Sequence, residues 1–196
     1  MRSLWRGMAV LAITSSAAGA QELVSNGGAE TGNLSGWSTP FDVACTSIPT
    51  ATSAPGAAHS GSFGFQFGRQ GCMEQQIAIT PGATYNVSVW AYVVDSSSVP
   101  SLLDPSNRLT VQFGNTLISP ILTNPGYLFF SFSGTEKSTS ALLRIQSQNA
   151  LTPMFVDDIS VTRDLTTPEP TSLPLLGMGL VGLVPLVRRK GAPRDG

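Results

Sequence analysis

An antiparallel all-β fold of the sandwich or barrel class is what this sequence predicts, on three observations. Between Gln21 and about Thr167 the chain is a series of short stretches in which apolar and polar residues alternate, separated by clusters of Gly, Pro, Ser and Thr. No stretch there sustains the 3.6-residue period of an amphipathic helix. Charged residues make up only 12% of the 196, while 20 Gly and 14 Pro supply turns, a balance that suits an exported β-rich domain better than a helical cytosolic enzyme.

At the N-terminus Met1, Arg2 and Arg6 precede the short apolar run 8–13, and the small residues Ala17, Ala18, Gly19 and Ala20 follow. Ala18 and Ala20 hold the −3 and −1 positions of an A-x-A site, so residues 1–20 read as a secretory signal peptide cut between Ala20 and Gln21. The mature chain then faces an oxidising compartment. Strands are expected near Leu23, over 37–43, 63–67, 73–79, 84–94, 108–113, 117–122, 127–132, 141–147 and 154–162. The clearest is 84–94, where Tyr85, Val87, Val89, Ala91 and Val93 alternate with Asn86, Ser88, Trp90, Tyr92 and Val94 behind the turn Thr80-Pro81-Gly82-Ala83. Residues 95–107, rich in Ser and Pro, are the expected long loop. Residues 21–165 are enough for one core and do not support a second domain.

The C-terminal end has an order of its own. From Pro170 to Val187 there are 18 residues without a charge, and a helix of that length spans about 27 Å against a hydrocarbon core of roughly 30 Å. Residues 171–187 therefore read as a short transmembrane segment, marginal because Pro174, Pro185 and three glycines weaken it. Arg188, Arg189 and Lys190 follow and hold the tail 191–196 on the cytoplasmic side.

Charge excludes some functions. Residues 21–170 hold five basic residues against eleven acidic ones, so a phosphate-tracking nucleic-acid surface is not expected. One histidine, His59, and two cysteines, Cys45 and Cys72, exclude zinc ribbons and iron–sulfur clusters held by this chain alone. In an oxidising compartment the two cysteines are expected to pair, which would constrain the unfolded chain by about 3.5 kcal/mol. They lie in separate segments, so geometry decides between a bridge and two free thiols.

Pro168-Glu169-Pro170, the apolar stretch behind it and the basic cluster Arg188, Arg189 and Lys190 resemble, in order and spacing, the PEP-CTERM sorting signal of exported Gram-negative proteins, here over 166–190. The resemblance implies an inner-membrane-anchored precursor, held there transiently, whose partner is an exosortase that cuts near the Pro-Glu-Pro motif. The mature form would then sit at the cell surface or in the extracellular matrix. A second resemblance runs through the body. Leu23 to Gly32 leading to Ser35-Gly36-Trp37, then His59-Ser60-Gly61-Ser62, Gln75-Gln76 through the Pro-Gly turn to Tyr85, and the closing 155–161 are similar to galactose-binding-like jelly-roll domains of carbohydrate-binding modules, with Ala29 at a position where that family usually has an aromatic. It implies a jelly-roll β-sandwich.

Period-two alternation over 155–162 groups Phe155, Asp157, Ile159 and Val161 on one face, so Asp157 is expected to point toward the core, where an unpaired carboxylate is costly. Either a bound cation or hydrogen bonds from the opening turn resolve that conflict. In the carbohydrate-binding relatives a structural calcium joins the first strand to the last, and the resemblance places it on Glu30 and Asp157, with Asp158 nearby. For a ligand face, Trp90 and Tyr92 share a side with Asn86 and Ser88, Tyr127 and Phe129 alternate with Leu128, Phe130 and Phe132, and Arg144 and Gln146 alternate with Leu143 and Ile145. If those strands lie in one sheet, Trp90, Tyr92, Tyr127, Arg144 and Gln146 form a surface for extracellular polysaccharide. If loops or the other sheet cover the aromatics, they are a minor core. No catalytic constellation emerges: there is no G-x-S-x-G elbow, no Walker loop and no G-x-G-x-x-G.

The expected function is an exported, non-catalytic surface or matrix protein that binds carbohydrate, with a ligand-free structural or adhesive protein and a secreted polysaccharide hydrolase as alternatives. Pro168 and Pro170 keep the peptide around Glu169 extended for a protease. Mass spectrometry of the mature protein from an exosortase-positive host is expected to find Gln21 first and a C-terminus within 168–171, and an intact tail through Gly196 would leave a plain membrane anchor instead.

Overall fold

The computed structural model describes residues 20–94, 107–122, 126–148 and 152–164. The signal peptide up to Gly19, nearly all of the expected loop at 95–107, and the whole sorting segment with Pro168, Glu169, Pro170, Arg188, Arg189 and Lys190 lie outside the described residues. Among those described, no helix is long and apolar enough to cross a membrane.

Among the described residues, nine strands form two antiparallel sheets: β1 (Thr50–Thr52), β2 (Gly64–Phe67), β3 (Cys72–Ala78), β4 (Thr84–Val93), β5 (Arg108–Phe113), β6 (Thr116–Ile118), β7 (Leu128–Thr135), β8 (Ser140–Gln148) and β9 (Met154–Arg163). One sheet has the order β1-β2-β9-β4-β7 and the other β3-β8-β5-β6. Period-two alternation explains both layers. Val87, Val89 and Ala91 of β4 face inward beside Phe65 and Phe67 of β2, and Met73, Ile77, Leu109, Val111, Phe113, Leu143 and Ile145 face them from the other sheet. Each of these side chains larger than Ala91 stabilises the fold by about 1.5–3 kcal/mol when fully buried.

Three expectations change. The strands expected near Leu23 and over 37–43 are only isolated bridges, Glu22 with Thr162, Ser38 with Glu74 and Asp42 with Cys45. The segment between them is curled by left-handed φ values at Asn26, Ala29, Gly32 and Gly36, which no extended strand tolerates. Gly27 lets this hook cross β9 closely, since a Cβ there would lie 1.9 Å from the Ile159 carbonyl oxygen. The strand expected at 117–122 shortens to β6, because Pro120 has no amide for the ladder and offers only its carbonyl, to Leu109 N at 3.1 Å. β1 was not anticipated.

The third change is one of phase. β4 and β9 pair Ser88 with Ser160 but Trp90 with Asp157, so β9 carries one extra residue, and Asp158 sits there at φ 47°. This β-bulge reverses the alternation. Ile159 and Val161 face the core, but Phe155 and Asp157 do not share their side: they pair with Tyr92 and Trp90 on the outer face, while Val156 points inward. Asp157 is fully buried, yet under a loop and outside the core.

Cys45 and Cys72 form a disulfide with Cα atoms 5.3 Å apart, tying the 39–47 loop to the first residue of β3. Replacing both by Ser is expected to lower stability by about 3.5 kcal/mol, read by denaturant titration, with non-reducing intact mass showing two fewer hydrogens in the parent.

Candidate functional site

The outer face of the five-stranded sheet is laid out by register. Partners across β9, β4 and β7 form four rows: Phe155 with Tyr92, Asp157 with Trp90 and Phe129, Ser160 with Ser88 and Ser131, and Thr162 with Asn86 and Ser133. The bulge keeps the first two rows in step with the last two. One half of the face is aromatic and acidic, and the other is hydroxyl and amide.

The aromatic half lies under the loop 57–63, which acidic side chains hold down. Asp157 Oδ2 accepts the amides of His59 at 2.7 Å and Ser60 at 3.1 Å, and its Oδ1 accepts the Asp158 amide at 2.8 Å. Asp158 accepts His59 Nδ1–H and the Ser60 hydroxyl, both at 2.7 Å. Glu30, from the opening hook, accepts the amides of Ser62 at 2.9 Å and Phe63 at 3.0 Å. Gly61 at φ 67° allows the turn, and a Cβ there would strike the Glu30 carboxylate. Tyr127 donates its hydroxyl to the Ala57 carbonyl. So anchored, the His59 ring stacks on Trp90 with centroids 3.8 Å apart and planes 14° from parallel, and Tyr127 meets His59 edge-on at 5.2 Å. Tyr92 packs against Tyr127 and Phe155.

Burial raises the Asp157 carboxyl above the ordinary range; the amides of Ser60, Asp158 and His59 oppose this, and the Asp158 carboxylate adds to it. Burial also pushes the Tyr127 hydroxyl well up, helped by the Asp157 and Asp158 carboxylates. Among the described residues, no three His, Cys, Asp or Glu side chains form a group able to hold a metal ion.

The hydroxyl half is an open groove of about 460 Å³, in the size range of ligand sites, lined by Asn86, Ser88, Phe129, Ser131, Ser133 and Thr162. Ser133 Oγ donates to Asn86 Oδ1 at 2.7 Å.

Trp90, Tyr92 and Tyr127 thus come together as expected, although His59 and the loop cover them in part. Arg144 and Gln146 do not join them. They lie on β8 in the other sheet, where Arg144 Nη2 reaches Asp42 Oδ2 at 3.3 Å and Cys45 Sγ at 3.3 Å, and its Nε lies 3.6 Å from Glu74 Oε2. Gln146 donates to the Ala44 carbonyl at 3.1 Å. Both secure the disulfide loop, because alternation tells which face a residue takes but not which sheet. Ser131, Ser133 and Thr162 escaped the sequence reading, as did the stacking of His59, since only register brings them to the face. Ala20 and Gln21 are exposed, just before the Glu22–Thr162 bridge.

The family profile of the PEP-CTERM protein-sorting motif matches residues 166–190. The chain carries this motif. It marks an exported precursor, anchored in the membrane and processed by an exosortase for the cell surface. Among curated proteins, none matches the chain. Solved structures do. TmCBM61 in complex with beta-1,4-galactotriose aligns at a TM-score of 0.54 and 16% identity, over 74% of this chain and 99% of that one. The Family 16 Carbohydrate Binding Module-2 aligns at 0.52 and 21%, over 71% and 98%. The CBM22-1 xylan-binding domain of Xyn10C from Paenibacillus barcinonensis aligns at 0.52 and 16%, over 76% and 97%. The body is a jelly-roll β-sandwich, the fold it shares with these structures.

Because folding raises the Asp157 pKa, its contribution to stability is complete below the unfolded value of about 3.9 and is lost as pH rises through the folded value. The melting temperature of the parent minus that of Asp157→Asn is therefore expected to fall as pH rises from about 4 toward neutrality. A difference that rises over the same interval would contradict burial as the dominant cause.

Proposed function

We propose that the mature chain is a non-catalytic domain, exported by a Gram-negative cell, that binds carbohydrate on the outer face of its five-stranded sheet. One observation carries this: an open groove of hydroxyl and amide groups runs beside a set of aromatic rings on a rigid sheet. Polysaccharide offers the complement of both, apolar ring faces and many hydroxyls. The likeness in fold to carbohydrate-binding modules supports the reading, and fold alone does not decide it. Against hydrolysis, Asp157 and Asp158 on the face are hydrogen-bonded to the loop that they anchor, as is Glu30 beside them, and Glu22 at the edge of the face accepts the Ser160 hydroxyl and the Val161 amide.

A glycan array probed with the full-length chain in detergent is expected to show binding that Ser131→Trp abolishes by filling the groove. An array blank across matrix-type polysaccharides would favour the ligand-free structural reading, and product release from them would revive the hydrolase.

For the structural calcium we propose Glu30 and Asp157, which flank Gly28: the Cβ position of Gly28 lies 3.7 Å from Asp157 Oδ1 and 3.7 Å from Glu30 Cγ. With the carboxylates already accepting amides, such an ion would draw most of its six to eight oxygens from backbone carbonyls. Chelator is expected to lower the melting temperature of the parent and not of Asp157→Ala, and an unchanged parent curve in excess chelator would leave the amides as the carboxylates' partners.

A further inference from the structure

We infer that the ligand of this face is an uncharged polysaccharide, seated in the groove with Phe129 as its stacking platform and Trp90 beneath the loop. The inference rests on the carbohydrate reading and names the class of glycan. It starts from what covers Trp90. An imidazole lying nearly parallel at 3.8 Å is in van der Waals contact with the indole, so that ring face has no room for a sugar. On Trp90's neighbouring strand, the Phe129 ring stands 5.1 Å away and tilted by 52°. Phe129 is 53% exposed, and it lines the groove itself.

The rest of the lining sets the charge of the ligand. Ser88, Ser131 and Thr162 offer hydroxyls that both donate and accept, and Ser133, whose proton goes to Asn86, accepts, which suits sugar hydroxyls of either polarity. Asn86 accepts from Ser133 through Oδ1 and has no partner for its amino group among the described residues, so Nδ2 is left to donate into the groove. Among the described residues, no charged side chain lines the groove. Arg144, the cation that would have met a uronate or sulfate, is engaged with Asp42 and Glu74 on the opposite sheet. The nearest charged neighbour by register on this face is Glu22, bridged to Thr162 with its carboxylate on the Ser160 hydroxyl; Asp157 lies one row beyond Ser88, and residues 21–170 carry a net negative charge. An anionic glycan would lose hydration against hydroxyls with no counter-charge and meet a negative field. A neutral chain meets neither cost.

The test is affinity measurement with the immobilised full-length chain against neutral xylan, galactan and glucan and against acidic polygalacturonate and alginate, at one ionic strength. Binding to at least one neutral polymer and to neither acidic one is expected. Phe129→Ala is expected to weaken it about tenfold, the loss of one aromatic contact. Because Phe129 is exposed, its truncation leaves the core intact, which circular dichroism of the variant verifies. Arg144→Gln is expected to bind as the parent does. Preference for an acidic polymer, or parental affinity in Phe129→Ala, would overturn the inference while leaving carbohydrate binding in place. Binding to no polysaccharide at all would overturn both.

Discussion

The extra residue that β9 carries at Asp158 is the constraint on which the rest of the site depends. Without it, strict alternation would send Asp157 into the apolar interior beside Ile159 and Val161, where a carboxylate has no partner. With it, Asp157 turns outward beside Trp90, and Asp158 at φ 47° presents its carboxylate to the same loop. Two adjacent acids can then hold two adjacent residues, His59 and Ser60, through four hydrogen bonds. An Asp tolerates the left-handed region better than most residues, so the bulge costs little where a β-branched residue would strain it.

The opening hook depends on the same place. Gly27 exchanges close backbone contact with Ile159, just past the bulge, and Glu30 two turns of chain later reaches the far end of the 57–63 loop. Hook, bulge and loop are three distant parts of the sequence that share one set of acceptors. The middle of the loop contributes little apolar burial: Ala57 is buried and Phe63 packs in part against the core, but His59 to Ser62 are exposed. Its order rests on charge-assisted hydrogen bonds to carboxylates, which are stronger than neutral ones. The aromatic rings beneath are thereby divided into a covered group, Trp90, Tyr92 and Tyr127, and an uncovered one, Phe129.

The two sheets divide chemistry as well as topology. The four-stranded sheet gathers Arg144, Gln146, Glu74 and the disulfide against the 39–47 loop, where a guanidinium bridges two carboxylates and touches a cysteine sulfur. The outer face of the five-stranded sheet has rings and loop-bound carboxylates at one end and hydroxyls and an amide at the other. This separation leaves the groove uncharged in a domain whose acidic residues outnumber its basic ones.

How much of this was legible depended on the range of the interaction involved. Period-two alternation is local, and it located eight of the nine strands to within a few residues, the inner face of β4 and the shared side of Trp90, Tyr92, Asn86 and Ser88. The order of Pro168-Glu169-Pro170, an apolar run and a basic cluster is likewise a linear signal, read in full from the chain. A cysteine pair in an exported chain was legible as chemistry, and only the approach of the 39–47 loop to β3 made it a bond. Sheet membership is not local: β4 and β8 carry the same alternation, and nothing in either segment says that Arg144 lies on the other layer. The phase of β9 could not be read, because a bulge is a property of two paired strands and shows only when Ser88 and Trp90 are matched to Ser160 and Asp157. The sequence by itself therefore determined the fold class, eight of the nine strands described and the sorting signal of the protein. Tertiary structure alone decided which side chains share the groove, since register and layer are set by partners far apart in the chain.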